Sequence, residues 1–337
     1  MMRTIPVMRA RREPSFWWRP PGLISGLLSP LAAVYGAVAA WRMAQPGRAA
    51  GIPVVCIGNL TLGGAGKTPA AIAVAQILAG AGRRPIVLSR GYGGALAGPV
   101  GVDPAHHRAA DVGDEPLLLA RFAPAIVSRD RAAGADAARA AGAGSIVMDD
   151  GFQNPALRKD RSIVVVDGRR GIGNGKVFPA GPLRAPLESQ LRRADALLVV
   201  GAGAAGEAVA AVAKGRPVFQ GRLEPDAQAL AVLKGRRVLA FAGIGDPEKF
   251  FVTLRDAGIE IGAAVAFPDH HRYRRSEARE LIERAGREGL VPVTTEKDLA
   301  RLYGQDDLAA LAAVTRALPV TLRFAEDAAF SDWVLGS

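Results

Sequence analysis

The sequence predicts an α/β protein built on a parallel, helix-covered sheet, with a smaller C-terminal α/β domain and an N-terminal amphipathic helical anchor. Three observations carry this. From residue 53 onward, short apolar runs alternate with helical patterns, the signature of a parallel sheet with crossover helices. The first run, Pro53-Val54-Val55-Cys56-Ile57, leads into Thr61-Leu62-Gly63-Gly64-Ala65-Gly66-Lys67-Thr68 and then a helical pattern, Ala70 to Leu78, which is the context of a phosphate-binding P-loop. The 40 glycines and 23 prolines are spread over many turns instead of forming a low-complexity tract. A P-loop NTPase-type sheet is therefore expected over residues 51–225, with the second domain over 226–337 and the helical segment over 1–50.

In chain order, Pro20 to Trp41 comes first and carries no charged residue. Ser29-Pro30 reads as an N-cap followed by a first-turn proline, which would split the segment and start a helix at Pro30. Running to Met43, that helix would be about 21 Å long, short of a ~30 Å hydrocarbon core. Leu23, Leu27, Leu31, Val34, Val38 and Trp41 share one side, while Ser25, Ser29, Ala32, Gly36 and Ala40 lie elsewhere. Arginines flank both ends, so no charge asymmetry orients a span. An interfacial anchor with Trp17, Trp18 and Trp41 near headgroup level fits these features. A helix packed on the protein's own core is the structural alternative.

The P-loop follows. Its glycines let backbone N–H groups turn onto phosphate oxygens at the start of a helix. Thr61, Gly63, Gly64, Ala65, Gly66, Lys67 and Thr68 are the expected nucleotide-binding residues. Lys67 would reach the β/γ-phosphates and Thr68 would offer a hydroxyl to Mg²⁺. Thr61 stands where the strict pattern has glycine.

A strand at Pro85–Ser89 runs into Arg90-Gly91-Tyr92-Gly93-Gly94. Asp114 and Glu115 then open a helix, where helix capping alone would account for them. After a strand at 125–128 and an alanine-rich helix, Ser145–Met148 ends in Asp149-Asp150-Gly151-Phe152-Gln153. An apolar strand ending in aspartate downstream of a P-loop places carboxylate toward Mg²⁺. A further strand, Ser162 to Asp167, precedes the basic Gly/Pro-rich loop that ends in Arg184, a candidate acceptor-substrate loop.

Gly201-Ala202-Gly203-Ala204-Ala205-Gly206 formally matches a dinucleotide fingerprint, with Glu224 at about the ribose-contact spacing. In a chain this rich in alanine and glycine, a chance match is the expected explanation. The pattern breaks near Leu223-Glu224-Pro225, and Arg237–Ala242 starts the second domain. There, Thr295-Glu296-Lys297-Asp298 serves as a capping box and lacks the Asn/Thr-Lys-x-Asp pattern of GTP base recognition.

The net charge of +11 is concentrated at the N-terminus, where residues 1–48 hold seven arginines and one glutamate. This charge brackets an apolar segment, and aromatics for base stacking are few, so an anionic membrane surface fits better than nucleic acid. The lone Cys56 suits a reducing compartment. Four histidines in two adjacent pairs and one cysteine are a poor zinc inventory.

Taken in order, Gly58-Asn59-Leu60-Thr61 through Thr68, Ser89-Arg90-Gly91-Tyr92-Gly93, Gly113-Asp114-Glu115-Pro116, Asp149-Asp150-Gly151-Phe152-Gln153, Pro179-Ala180-Gly181-Pro182-Leu183-Arg184, Phe267-Pro268-Asp269-His270-His271 and Thr295-Glu296-Lys297-Asp298 resemble the tetraacyldisaccharide 4′-kinase family of Gram-negative bacteria. Thr61 at the opening P-loop position is part of the resemblance. It implies transfer of the ATP γ-phosphoryl to the 4′-hydroxyl of a tetraacylated glucosamine disaccharide 1-phosphate, giving lipid IVA, at the cytoplasmic face of the inner membrane. It further implies that Asp114 accepts the hydroxyl proton with His270 alongside, although His271 is adjacent. Lys67 would hold phosphates, Thr68, Glu115, Asp149 and Asp150 would surround Mg²⁺, and Arg90, Tyr92, Gln153 and Arg184 would meet the lipid. The alternative is a P-loop GTPase or ATPase of metallochaperone type driving a partner protein. That reading calls for a base-recognition motif and a metal-rich segment, and the sequence displays neither.

Overall fold

The computed structural model describes residues 13–336; Arg3, Arg9, Arg11 and Arg12 of the basic N-terminus lie outside the described residues. Thirteen strands run in chain order among them: β1 (Val54–Asn59), β2 (Pro85–Ser89), β3 (Val100–Gly101), β4 (Ala125–Val127), β5 (Ser145–Asp149), β6 (Arg161–Asp167), β7 (Ala196–Val200), β8 (Val218–Pro225), β9 (Arg237–Ala242), β10 (Glu260–Ala266), β11 (Val291–Thr295), β12 (Arg316–Leu318) and β13 (Val320–Phe324). They form a nine-stranded sheet, ordered β13-β8-β7-β6-β1-β5-β2-β4-β3, and a four-stranded sheet, ordered β10-β9-β11-β12.

The pairings from β8 through to β4 are all parallel, and antiparallel β13 and β3 close the two edges. Strands β1, β2, β5 and β7 are buried at every position, as expected where helices cover both faces and the sequence is continuously apolar. β1 lies between β5 and β6, where the chain reverses its direction of travel across the sheet. The loop after β1 therefore opens at the topological switch point, the place where open α/β sheets bind ligands.

The second sheet is wholly parallel. The chain enters it after residue 225 and leaves at 320, when β13 pairs with β8 and helix Asp327–Leu335 returns to the first sheet's core. Phe330 is fully buried there, stacked on Phe324 at 4.0 Å and edge-on to Phe219. Ion pairs also tie the two parts together, Lys249 to Asp167 at 3.0 Å and Arg170 to Asp246 at 3.1 Å. Arg170 donates to Glu13 at 3.0 Å as well, and lies over the Trp18 ring.

The apolar N-terminal segment is not split at Ser29-Pro30. One helix runs unbroken over Leu23–Ala44. Pro30 falls on its exposed side, and Ser29 Oγ bonds back to the Ser25 carbonyl at 2.7 Å instead of capping a new start. An interior proline removes one N–H donor without ending the helix when the remaining ladder persists. The helix is about 33 Å long at 1.5 Å per residue, so the argument from shortness is overturned, and its length and composition suit a membrane crossing. Its faces are inverted relative to a soluble helix. Ser25, Ala32, Gly36 and Met43 face inward, whereas Leu23 is 88%, Leu27 82% and Trp41 65% exposed.

The fingerprint-like turn after β7 is a packing device. Gly206 lies so close to Gly168 that an added Cβ would sit 2.6 Å from its Cα. Glu224 is held by Arg222 and Arg323 on the sheet edge.

Candidate active site

The carboxyl ends of both sheets face one cleft, which holds a cavity of about 710 Å³. The first wall comes from the loops after β1, β2 and β5, and the second from those after β9, β10 and β11.

The P-loop is seated from beneath. Asn59 Nδ2 donates to the carbonyls of Thr61 (2.7 Å) and Gly63 (3.0 Å), and Arg184 Nε donates to Thr61 O at 3.0 Å. Gly66 caps the helix Lys67–Gly80 at φ 91°, a conformation that a side chain would strain. Gly63, Gly64, Gly66, Lys67 and Thr68 line the cavity. Thr61 and Ala65 do not; both are buried, Thr61 with its carbonyl consumed and Ala65 packed in the core behind the loop. They shape the loop and leave its contact surface to their neighbours.

Three carboxylates converge on the start of the P-loop helix. Asp150, in the left-handed region at φ 48°, meets Lys67 Nζ at 3.5 Å and is gripped on both oxygens by Arg184, at 2.8 and 3.2 Å. Burial opposes its ionisation, but Lys67 and Arg184 prevail and hold its carboxyl down at about 2. Glu115 Oε1 accepts from Lys297 Nζ at 2.5 Å and from Thr68 Oγ1 at 3.4 Å. Burial opposes the ionisation of Glu115, but the charge and hydrogen bond of Lys297 together with the charge of Lys67 lower it, while burial lowers Lys67. Asp149 differs: burial, then the nearby charges of Glu115 and Asp150, raise it to about 7.

Asp149 Oδ2 accepts from Ser89 Oγ at 3.3 Å, but Oδ1 is buried without a hydrogen-bond partner. A buried orphan oxygen beside Thr68 and Glu115 fits a divalent cation. Among the described residues, no group of three or more His, Cys, Asp or Glu is arranged to hold an ion alone. Mg²⁺ at phosphate sites takes one or two carboxylates and completes its shell with phosphate oxygens and water. Asp150, already gripped by Arg184 and close to Lys67, is the weaker ligand of the expected set.

Across the cleft, His270 Nδ1 donates to Asp114 Oδ1 at 3.1 Å. Asp114 is buried, and Arg301 holds its other oxygen through Nε at 2.9 Å and through Nη2. Burial would raise Asp114, but the His270 hydrogen bond and the Arg301 charge hold it well below the usual carboxylate range. In turn, burial disfavours the His270 imidazolium, and Asp114 more than compensates, raising it. His270 adopts φ 54°, which turns its ring toward Asp114 and against Tyr92 at 4.9 Å. The neighbours differ in their partners: His271 Nε2 bonds Glu277 at 2.9 Å, and its ring stacks on Phe267.

A raised histidine stabilises the fold fully below its ordinary value of 6.5, and that contribution is lost as pH rises through the raised value. The wild type should therefore melt several degrees above His270→Gln near pH 5.5, with the gap shrinking toward pH 9. A gap independent of pH, followed by thermal melts, would contradict the ion pair.

Arg90 and Tyr92 line the cavity from the loop after β2, with Tyr92 exposed. Gln153 and Arg184 also line it but are committed internally. Gln153 Nε2 donates to Asn59 O (2.7 Å) and Gln190 Oε1 (2.9 Å), so it braces the loop. Ser89 and Lys297, which lie in the motifs above, and Arg131 and Arg301, which do not, are not among the expected site residues. Arg131 is buried and donates to the carbonyls of Leu88 and Asp149, fixing the ends of β2 and β5. The available signal was the charged face Lys297, Asp298, Arg301 at i, i+1 and i+4, which reads equally as a solvated helix face.

The family described as tetraacyldisaccharide-1-P 4′-kinase matches residues 24–337. A tetraacyldisaccharide 4′-kinase of Bradyrhizobium sp. (strain BTAi1 / ATCC BAA-1182) is 57% identical over 325 residues, covering 96% of this chain and 94% of the relative. One from Rhodopseudomonas palustris (strain BisB18) is 58% identical over 326 residues, covering 96% and 95%. A solved LpxK from Aquifex aeolicus in complex with ATP superposes with a TM-score of 0.73 at 26% identity, covering 93% of this chain and 99% of that one. The match takes in both walls of the cleft, and the chain belongs to the tetraacyldisaccharide-1-P 4′-kinase family.

Proposed function

We propose that the protein transfers the γ-phosphoryl group of ATP to the 4′-hydroxyl of a tetraacylated glucosamine disaccharide 1-phosphate, giving lipid IVA. The observation that carries this is the half-buried Asp114–His270 contact in the same cleft as Lys67. A hydrolase driving a partner protein has no need of a proton-accepting pair aimed at an acceptor across from the phosphate loop.

The cavity divides by chemistry. Ile72, Leu223, Ile244, Phe250 and Val320 give one end an apolar lining suited to a nucleotide base. The P-loop amides and Lys67 hold the phosphates. ATP and Mg²⁺ supply the transferable phosphoryl group and the charge that neutralises it, with Thr68, Glu115 and Asp149 as the residues to hold the metal. Asp114 fixes the Nδ1–H tautomer of His270 and raises its proton affinity. Arg301 keeps Asp114 ionised, so the hydroxyl proton passes to the pair and rests on the imidazole.

Tyr35, Ala39 and Arg42 of the N-terminal helix line the same cavity as Lys67. An acceptor held among lipid chains at that helix would reach the phosphate site without leaving the bilayer. The exposed apolar face is the surface that meets the membrane, at the cytoplasmic face of the inner membrane where ATP is present. Replacing Leu27 and Val34 by lysine removes roughly 3 kcal/mol of apolar burial, about a hundredfold in partitioning. The L27K/V34K variant should fail to co-sediment with anionic vesicles; undiminished co-sedimentation would place the contact elsewhere.

Incubation of the full chain with γ-labelled ATP tests the reaction. Acceptor-dependent label in lipid is expected, and free phosphate released equally without acceptor would favour the ATPase reading.

A further inference from the structure

The two walls of the cleft each present a lysine at the start of a helix that follows a parallel strand, Lys67 after β1 and Lys297 after β11. Lys67 is close to Asp150 at 3.5 Å. Arg184 is committed to Asp150 and Thr61 O, and Arg301 to Asp114, Asp298 and the Gly243 carbonyl. Lys297 is placed differently. Its ammonium crosses from the second sheet to Glu115 Oε1, an oxygen that also lies 3.4 Å from Thr68 Oγ1. Its Nζ therefore sits beside the end of the phosphate loop, on the side away from Lys67's own wall. An ammonium carries three donors, and the Glu115 bond uses one.

We propose that Lys297 is a second phosphate-binding residue that grips the terminal phosphate of the nucleotide from the wall opposite Lys67, and so sets the preference for triphosphate over diphosphate. This rests on the ATP reading above. The geometry supports it. Lys297 lines the same cavity as Gly63, Gly64, Gly66 and Lys67, from the opposite wall. Its bond to Glu115 leaves two N–H donors for phosphate oxygens. A divalent cation on Glu115 would compete with Lys297 for the same oxygen and leave the ammonium to phosphate. A lysine acts as a flexible point charge, suited to changing partners over a few ångströms.

The test is the binding of ADP and of a non-hydrolysable ATP analogue to the full-length protein, by calorimetry, with Mg²⁺ and with chelator. Wild type should prefer the triphosphate. In Lys297→Met the triphosphate affinity should fall about ten- to a hundredfold, the range for a charge-assisted bond, while ADP binding stays within about twofold. Lys297→Arg should recover part of the preference. The double variant E115Q/K297M removes both charges of the pair, so neither is left buried alone; in chelator it should bind the two nucleotides equally. An unchanged triphosphate preference in K297M or in the double variant would overturn the proposal and leave Lys297 as a counter-ion to Glu115. Failure of the wild type to bind either nucleotide would instead overturn the ATP reading beneath it.

Discussion

Replacing Asp114 by asparagine is expected to cut turnover by about 10²–10⁴-fold, the usual contribution of a positioned base, while nucleotide binding survives. The amide keeps the size of the side chain but removes its charge. His270 loses the anion that raises its proton affinity and selects its Nδ1–H tautomer. Asp114 does not line the cavity, and its partners are His270 and Arg301, so the P-loop is untouched. Single-turnover kinetics and nucleotide titration of the same preparation check both halves. Near-normal turnover with intact binding would remove the proton-accepting role from the pair.

Arg301→Ala carries the largest expected cost in stability. Its guanidinium is buried and joins Asp114 from the first sheet's side of the cleft to Asp298 (2.7 Å) and the Gly243 carbonyl (2.6 Å) in the second. Truncation leaves two buried carboxylates without their cation, a change that costs about 3–5 kcal/mol. Denaturant midpoints should shift accordingly, and turnover should fall along with stability because Asp114 loses the group that keeps it ionised. A shift below about 1 kcal/mol would resemble a surface pair and would mean that the network is solvated. The same substitution should make the two parts of the cleft less well held together, because Arg301 is bonded to both walls.

What was legible in the sequence was local. The strand before the P-loop, the glycines of its turn and the apolar run into Asp149 are contiguous, and each is fixed by backbone geometry and periodicity. The inverted faces of the N-terminal helix were legible too, because helical spacing separates Leu27 and Val34 from Ala32 and Gly36. Its continuity was not. A local rule for Ser-Pro was applied where the flanking ladder carries the helix through Pro30. The return of β13 to the first sheet was hidden because Val320–Phe324 reads like any strand, and only long-range pairing with β8 assigns it.

The polar half of the site was the least legible. Lys297 and Arg301 look like a solvated helix face until the cleft turns that face inward onto Glu115 and Asp114. The resemblance points Gln153 and Arg184 at the lipid; both line the cavity, and each also spends hydrogen bonds bracing the loop beneath. His270 and His271 are indistinguishable by type and position. Their partners, Asp114 for His270 and Glu277 for His271, separate them, as does the positive φ at His270, a strained conformation of the kind that clusters at functional sites.

The central claim is that this cleft moves a phosphoryl group from ATP onto one sugar hydroxyl. Phosphorus–proton correlation spectroscopy of the lipid product tests it most directly, using the full-length protein, Mg²⁺, ATP and the tetraacylated disaccharide 1-phosphate. The account predicts a new phosphorus signal coupled to the 4′ proton, formed by the wild type and nearly absent with Asp114→Asn. Phosphate appearing at another position, or only as free phosphate while the lipid is unchanged, would contradict it.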